Sequence, residues 1–168
     1  MALYEAHGLR DHPLAAFPLE QLGILRAEAK LEEALPYLER ALAIRAAALH
    51  DGNPWLSLSR NNVANALVRA GRKAEALPLL EANATTARAH GLDEDGALAA
   101  SLYQLARLQQ ERGELDAAAD LADDALRRLR HLHPRGHPTL RAALLLRATL
   151  CDALDEPSLA ADLRAEAH

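Results

Sequence analysis

The residues best suited to chemistry cluster in the C-terminal third of the chain. His131, His133 and His137 lie within His131-Leu132-His133-Pro134-Arg135-Gly136-His137, and spacings of two and four are compatible with zinc ligation. That segment has no cysteine or acid, and the nearest carboxylates, Asp123 and Asp124, sit about two helical turns back. His137-Pro138 is also accounted for as a helix-opening turn, as is His12-Pro13. No metal site is assigned. Cys151, the single cysteine, falls in an apolar helical stretch where a buried, inert thiol is expected. The adjacent pairs Asp123-Asp124 and Glu32-Glu33 point in different directions on a helix, so they read as solvated face rather than as an acid–base couple. There is no Gly-rich phosphate loop, Gly-x-Ser-x-Gly or His-Glu-x-x-His. No catalytic residue and no cofactor is assigned, and the chain reads as non-enzymatic.

The bulk composition agrees. Of 168 residues 50% are hydrophobic, enough to bury a core, and alanine and leucine supply most of them. A net charge of −5 and a pI near 5.9 are opposite to what a phosphate-binding surface needs, which argues against nucleic acid, and none is expected as a partner. No run of 18 apolar residues spans a membrane, and Met1-Ala2-Leu3-Tyr4-Glu5 does not begin a signal peptide. One cysteine leaves no internal disulfide and fits a reducing compartment, so a cytoplasmic protein is expected. The basic residues are almost all arginine, in keeping with a GC-rich, bacterial genome.

The elements that position all of these residues repeat. Glu33-Ala34-Leu35-Pro36 returns as Glu75-Ala76-Leu77-Pro78, and the spacing of 42 carries Ala34 and Ala76 on to Ala118 and Ala160. Five residues earlier a turn column reads Ala29, Gly71, Gly113, Asp155; twelve earlier a small or apolar column reads Leu22, Ala64, Ala106, Ala148. Seven later the column reads Ala41, Asn83, Ala125. The repeats run over about residues 12–52, 53–94, 95–136 and 137–168, as a single array over 1–168.

Each repeat resolves into two helices, A and B. Asn53-Pro54 opens helix A of the second repeat, which runs to about Ala70; Gly71 ends it, and helix B covers about Lys73 to Ala89. The alanine column lies where two helices cross closely, so a larger side chain there overpacks by roughly 1–3 kcal/mol. One hairpin cannot bury both its faces, so the hairpins must stack. The fold class is all-α: a short, right-handed α-solenoid of antiparallel helix hairpins.

These residues resemble the tetratricopeptide repeat, in the 42-residue variety of kinesin light chains and many bacterial proteins. The helix-A signature appears as Asn62-Val63-Ala64 with Gly71, and as Gln104-Leu105-Ala106 with Gly113. The helix-B signature appears as the stretch from Glu33 to Ile44, and the turn between repeats as Asp11-His12-Pro13. Three departures stand out. Asn83, Thr85 and Thr86 replace small or aliphatic residues; Asp155-Glu156-Pro157 replaces the glycine turn, so that hairpin is expected to be reshaped; and Tyr4-Glu5-Ala6-His7-Gly8 resembles the tail of a preceding helix B, as from a longer array.

The resemblance implies that an extended peptide binds in a groove lined by the A helices. Asn61, Asn65 and Arg69 share one helical face at i, i+4, i+8, and Tyr103, Arg107 and Gln110 (or Glu111) take the matching places in the third repeat. Amides pair with peptide backbone and arginine forks to carboxylates, so the expected ligand is acidic or ends in a free carboxylate. The outer repeats offer Leu19 and Gly23, and Leu145 and Thr149. Trp55 is expected to pack between repeats. Two further roles stay open. One is a regulatory or sensor segment of a larger signalling protein. The other is self-association through the ends of the array, with Leu159 and Leu163 exposed.

Overall fold

The computed structural model describes residues 12–90 and 96–168. The resemblance of residues 1–11 to a preceding helix, including Asp11, and the repeat boundary at 94 and 95 lie outside the described residues. Eight helices are described: α1 (Pro13–Ala29), α2 (Leu31–Ala48), α3 (Pro54–Arg69), α4 (Lys73–His90), α5 (Gly96–Glu111), α6 (Leu115–Leu132), α7 (Pro138–Ala153) and α8 (Pro157–Glu166). They alternate as the A and B helices of the four repeats, and no strand occurs among the described residues.

The helix starts follow from their caps. Oδ1 of Asn53 accepts from the Trp55 N–H at 2.9 Å, with Pro54 at the first helical position. His12 and His137 do the same with an imidazole: Nδ1 of each accepts the N–H two residues on, at 3.3 Å, ahead of Pro13 and Pro138. The turns inside the hairpins share one bond. Arg72 N–H donates to Leu67 O, Glu114 N–H to Gln109 O and Glu156 N–H to Cys151 O, at 2.9 to 3.0 Å, each reaching back five residues around a left-handed residue. That residue is Gly71 (φ 77°), Gly113 (φ 78°) and Asp155 (φ 62°).

The reshaped hairpin expected at Asp155 therefore does not occur. The short polar side chain of aspartate tolerates the left-handed well, and the turn keeps the geometry of its glycine counterparts. The strain remains, and Asp155→Gly is expected to stabilise the protein by about 0.5–1 kcal/mol. A rise in the urea midpoint at constant slope registers this; an unchanged midpoint means the aspartate is unstrained. The first hairpin differs: α1 and α2 are separated by Lys30 alone, in extended backbone.

The described residues fall into two compact bodies, divided between Thr86 and Ala87. In the first, α1 packs on α2 and α2 on α3, over a core of Ala15, Ala16, Leu19, Ala41 and Ile44. In the second, α5 packs on α6, α6 on α7 and α7 on α8, around Leu126, Leu129, Leu140, Leu144, Ala148 and Cys151. The repeated alanines are where the period puts them: Ala34, Ala76, Ala118 and Ala160 are all fully buried. Asn83 is accommodated in its small-residue column because its Nδ2 donates to Ser57 O at 3.0 Å, tying α4 to α3. Thr86 Oγ1 donates to Ala82 O at 2.9 Å. At the C-terminal end Leu163 is buried, contrary to expectation, in the core around Leu144, while Leu159 is exposed.

Candidate peptide-binding groove

Helix α3 carries the polar stripe, and its neighbours give it a floor. Ile24 and Ala27 from α1, Leu38 from α2, and Asn62, Asn65, Ala66 and Arg69 from α3 line a concavity of about 210 Å³. At about 100° per residue, positions 62, 65, 66 and 69 form one continuous arc, and position 61 lies at its edge. Asn65 and Arg69 are brought together as the spacing suggests, and both are exposed. Asn61 is 8% exposed, turned to the interior, and does not line the concavity. Asn62 takes that place instead; its position at the head of the Asn-Val-Ala signature, one residue on from Asn61, is the one signal of it in the sequence.

Two contacts hold this wall in place. Arg69 Nη2 donates to the Ala27 carbonyl at 3.0 Å, fastening the end of α3 to the end of α1. Asn62 Nδ2 donates to Oε1 of Glu20 at 3.1 Å. Glu20 stands 42 residues before Asn62, so a carboxylate fills the amide column in the first repeat. It is buried and paired with buried Arg45: Nη1 to Oε1 and Nη2 to Oε2, each at 2.9 Å. Arg45 Nη1 also donates to Ser59 Oγ at 2.6 Å and to Trp55 O at 3.0 Å, and Ser59 Oγ donates to Glu20 at 3.0 Å. Nothing in the spacing of the sequence points to this network. The close approach of α1 and α2 at the groove wall depends on Gly23, where an added Cβ would lie 2.6 Å from Leu38.

In the second body the stripe is aromatic and cationic. Tyr103 is half-buried against the core, the Arg107 guanidinium lies 6.0 Å from its ring centre and is exposed, and Gln110 is half-buried one turn on. Leu145 and Thr149 are exposed on α7.

The remaining candidates have structural partners. His133 and His137 stack with ring centres 3.7 Å apart, and burial together with the His137 ring beside it holds the His133 imidazole below its ordinary value of 6.5. Among the described residues no three His, Cys, Asp or Glu side chains gather in a way that holds a metal. Cys151 is fully buried; burial pushes its thiol up, although Arg147 Nη1 donates to its Sγ at 2.8 Å. Trp55 is not packed between repeats. It is 54% exposed, with the Arg45 guanidinium 5.3 Å from its ring centre.

Two family models, each described as a tetratricopeptide repeat, match residues 23–82 and 98–139. The chain is a tetratricopeptide repeat protein. The array resembles the crystal structure of the nearly identical TPR-like repeats attributed to a kinesin light chain of Podosopora anserina. The TM-score is 0.75 at 25% identity, over 93% of this chain and 74% of that one. A point variant of that protein gives 0.76 at the same identity and coverage. BtubC (BKLC) from P. vanneervenii shares the fold, with a TM-score of 0.73 at 18% identity over 90% of this chain and 61% of that one. No curated protein matches the sequence. Tetratricopeptide repeats generally mediate protein–protein interaction and form a typically non-catalytic scaffold family. No described helix of this array is long and apolar enough to cross a membrane.

Proposed function

We propose that this array is a non-catalytic, cytoplasmic scaffold that grips an extended segment of a partner protein in the groove of its A helices, with no role for nucleic acid or a lipid bilayer. The observation that supports this most is the concavity in the first body. There amide and guanidinium groups of Asn62, Asn65 and Arg69 rim an apolar floor of Ile24, Leu38 and Ala66. Its volume of about 210 Å³ suits one peptide side chain and falls below the usual range of small-ligand pockets. The Asn65 carboxamide pairs with peptide backbone, and Arg69, the one charged residue of the lining, answers a carboxylate. The preferred segment is therefore acidic or ends in a free carboxylate. Tyr103, Arg107 and Gln110 supply a second contact of the same kind in the other body.

A peptide array presenting each sequence with a free and an amidated C-terminus tests this. Free acids or acidic peptides are expected to bind, more weakly as salt rises. Arg69→Glu should weaken the best of them at least tenfold, about 1.4 kcal/mol, and Arg107→Glu, made separately, tests the stripe of the other body on its own. Both side chains are exposed, but Arg69 also donates to the Ala27 carbonyl, so the loss counts as lost recognition only where the variant's helicity and melting match the wild type. Equal affinity in wild type and in the Asn65→Ala and Arg69→Glu variants would show the stripe to be a solvated face only.

A further inference from the structure

The geometry points to a proton-operated latch in the second body: the stacked imidazoles of His133 and His137 hold the first turn of α7 closed while both are neutral, and release it when the pair takes up a proton. The two residues bracket the connection between α6 and α7. His133 ends α6, its N–H donating to Leu129 O at 2.9 Å, and His137 precedes Pro138 at the start of α7. Between them the chain makes a turn closed by the His137 N–H on Pro134 O at 3.2 Å, with Gly136 in the left-handed well at φ 82°. That turn lays one ring on the other, with centres 3.7 Å apart and 1° between the planes. The lone pairs of parallel rings run side by side and do not converge on one ion, so the pair is no metal site.

Each ring resists a proton for its own reason. Nδ1 of His137 accepts the Thr139 N–H at 3.3 Å. An imidazolium has donors at both nitrogens and accepts nothing, so protonation removes this cap and leaves a cation at the positive end of a helix. His133 is half-buried. Burial, and then the facing His137 ring, hold its imidazole below 6.5, although the C-terminal end of α6 favours a cation there. Among the described residues the charged groups around the pair offer an imidazolium no unanswered carboxylate. Glu166 of α8 is gripped by Arg130 at 2.9 and 2.7 Å and drawn further below its ordinary range by Arg135. Asp123 and Asp124, further back on α6, pair with Arg147 and Arg127. His131 and Arg141 are exposed and carry no negative charge, and α5 has no charged side chain before Arg107. An imidazole held below its unfolded value binds fewer protons folded than unfolded. The stability it carries is therefore complete above about pH 6.5 and is lost as pH falls through the lowered value. What opens is the turn that brings Leu140 into the core beside Leu126 and Leu129.

Nuclear magnetic resonance of the full chain, from about pH 8 down to about pH 5, reads the latch directly. The His133 ring is expected to titrate below 6.5, and the Thr139 amide signal to move over the same range. His137→Asn replaces the imidazole by a cap that takes no proton, of the kind Asn53 makes at the start of α3. In that variant the Thr139 amide should stay where it is, and the His133 midpoint should rise because the facing ring is gone. Between about pH 7.5 and about pH 5.5 the wild type should lose about 2–4 °C more in Tm than the variant, the worth of one cap in a chain of this size. Every other histidine is common to both chains, so its share cancels. His137→Ser, a second cap without a titrating group, should behave as the asparagine does and guards against a variant weakened for another reason. An equal fall in Tm for the wild type and both variants overturns the proposal. So does a His133 midpoint at or above 6.5 in the wild type, or a Thr139 amide that ignores the titration.

Discussion

Glu20→Ala is expected to lower the stability of the protein by about 3–5 kcal/mol. The side chains of Glu20 and Arg45 are 2% and 5% exposed, so deleting the carboxylate leaves a buried guanidinium answered by no anion, with Ser59 Oγ, the Trp55 carbonyl and the Trp55 ring beside it. The cost comes mainly from that orphaned charge and much less from lost attraction between the pair. Replacing both residues, as Glu20→Met with Arg45→Leu, should therefore recover most of the loss, since an apolar pair of similar volume is often neutral or better. Urea unfolding followed by circular dichroism reads both results. A single variant that costs under 1 kcal/mol would mean that water reaches the pair. Asn62 also gives its amide to Glu20, so the carboxylate fixes a side chain of the groove wall. The double variant should therefore weaken peptide binding even where its stability is restored.

The second large effect lies in the other body. Leu144 is 1% exposed at the centre of a core made with Leu126, Leu129, Ala148 and Leu163. Leu144→Ala removes buried methyl groups and leaves a cavity between helices whose neighbouring positions are already alanine, so little can collapse to fill it. A loss of about 2–5 kcal/mol is expected. The adjacent Leu145 is 40% exposed, and Leu145→Ala should stay within about 0.5 kcal/mol. Differential scanning calorimetry of the two variants separates them. Similar losses in both would show that the helix face has been assigned wrongly.

What the sequence made legible was whatever the period forces on every repeat. Ala34, Ala76, Ala118 and Ala160 could be placed at a helix crossing because only close approach explains the same small residue four times, and all four are fully buried. The caps at His12, Asn53 and His137 were legible because a proline fixes the first helical position behind each. The helical phase was harder. Asn61 and Asn62 differ by about 100°, and the sequence does not say which lies at the middle of the exposed arc until the flanking helices are present. Glu20 was opaque for another reason. A buried acid is intelligible only with its cation, and Arg45 lies on a different helix, 25 residues away. At Asp155 the side chain suggested a changed turn, whereas the hydrogen bond from the Glu156 N–H back to the Cys151 carbonyl marks the same geometry as in the glycine turns.

Gly23 has a consequence for how the protein can change over time. Its column runs on to Asn65, Arg107 and Thr149, and those three are exposed, where a new side chain meets far less packing than at position 23. At position 23 even a methyl group collides with buried Leu38. Divergence of binding preference is thus open along three rungs of the ladder and closed at the first, and a lineage acquiring a new partner should write its changes from the second repeat onward.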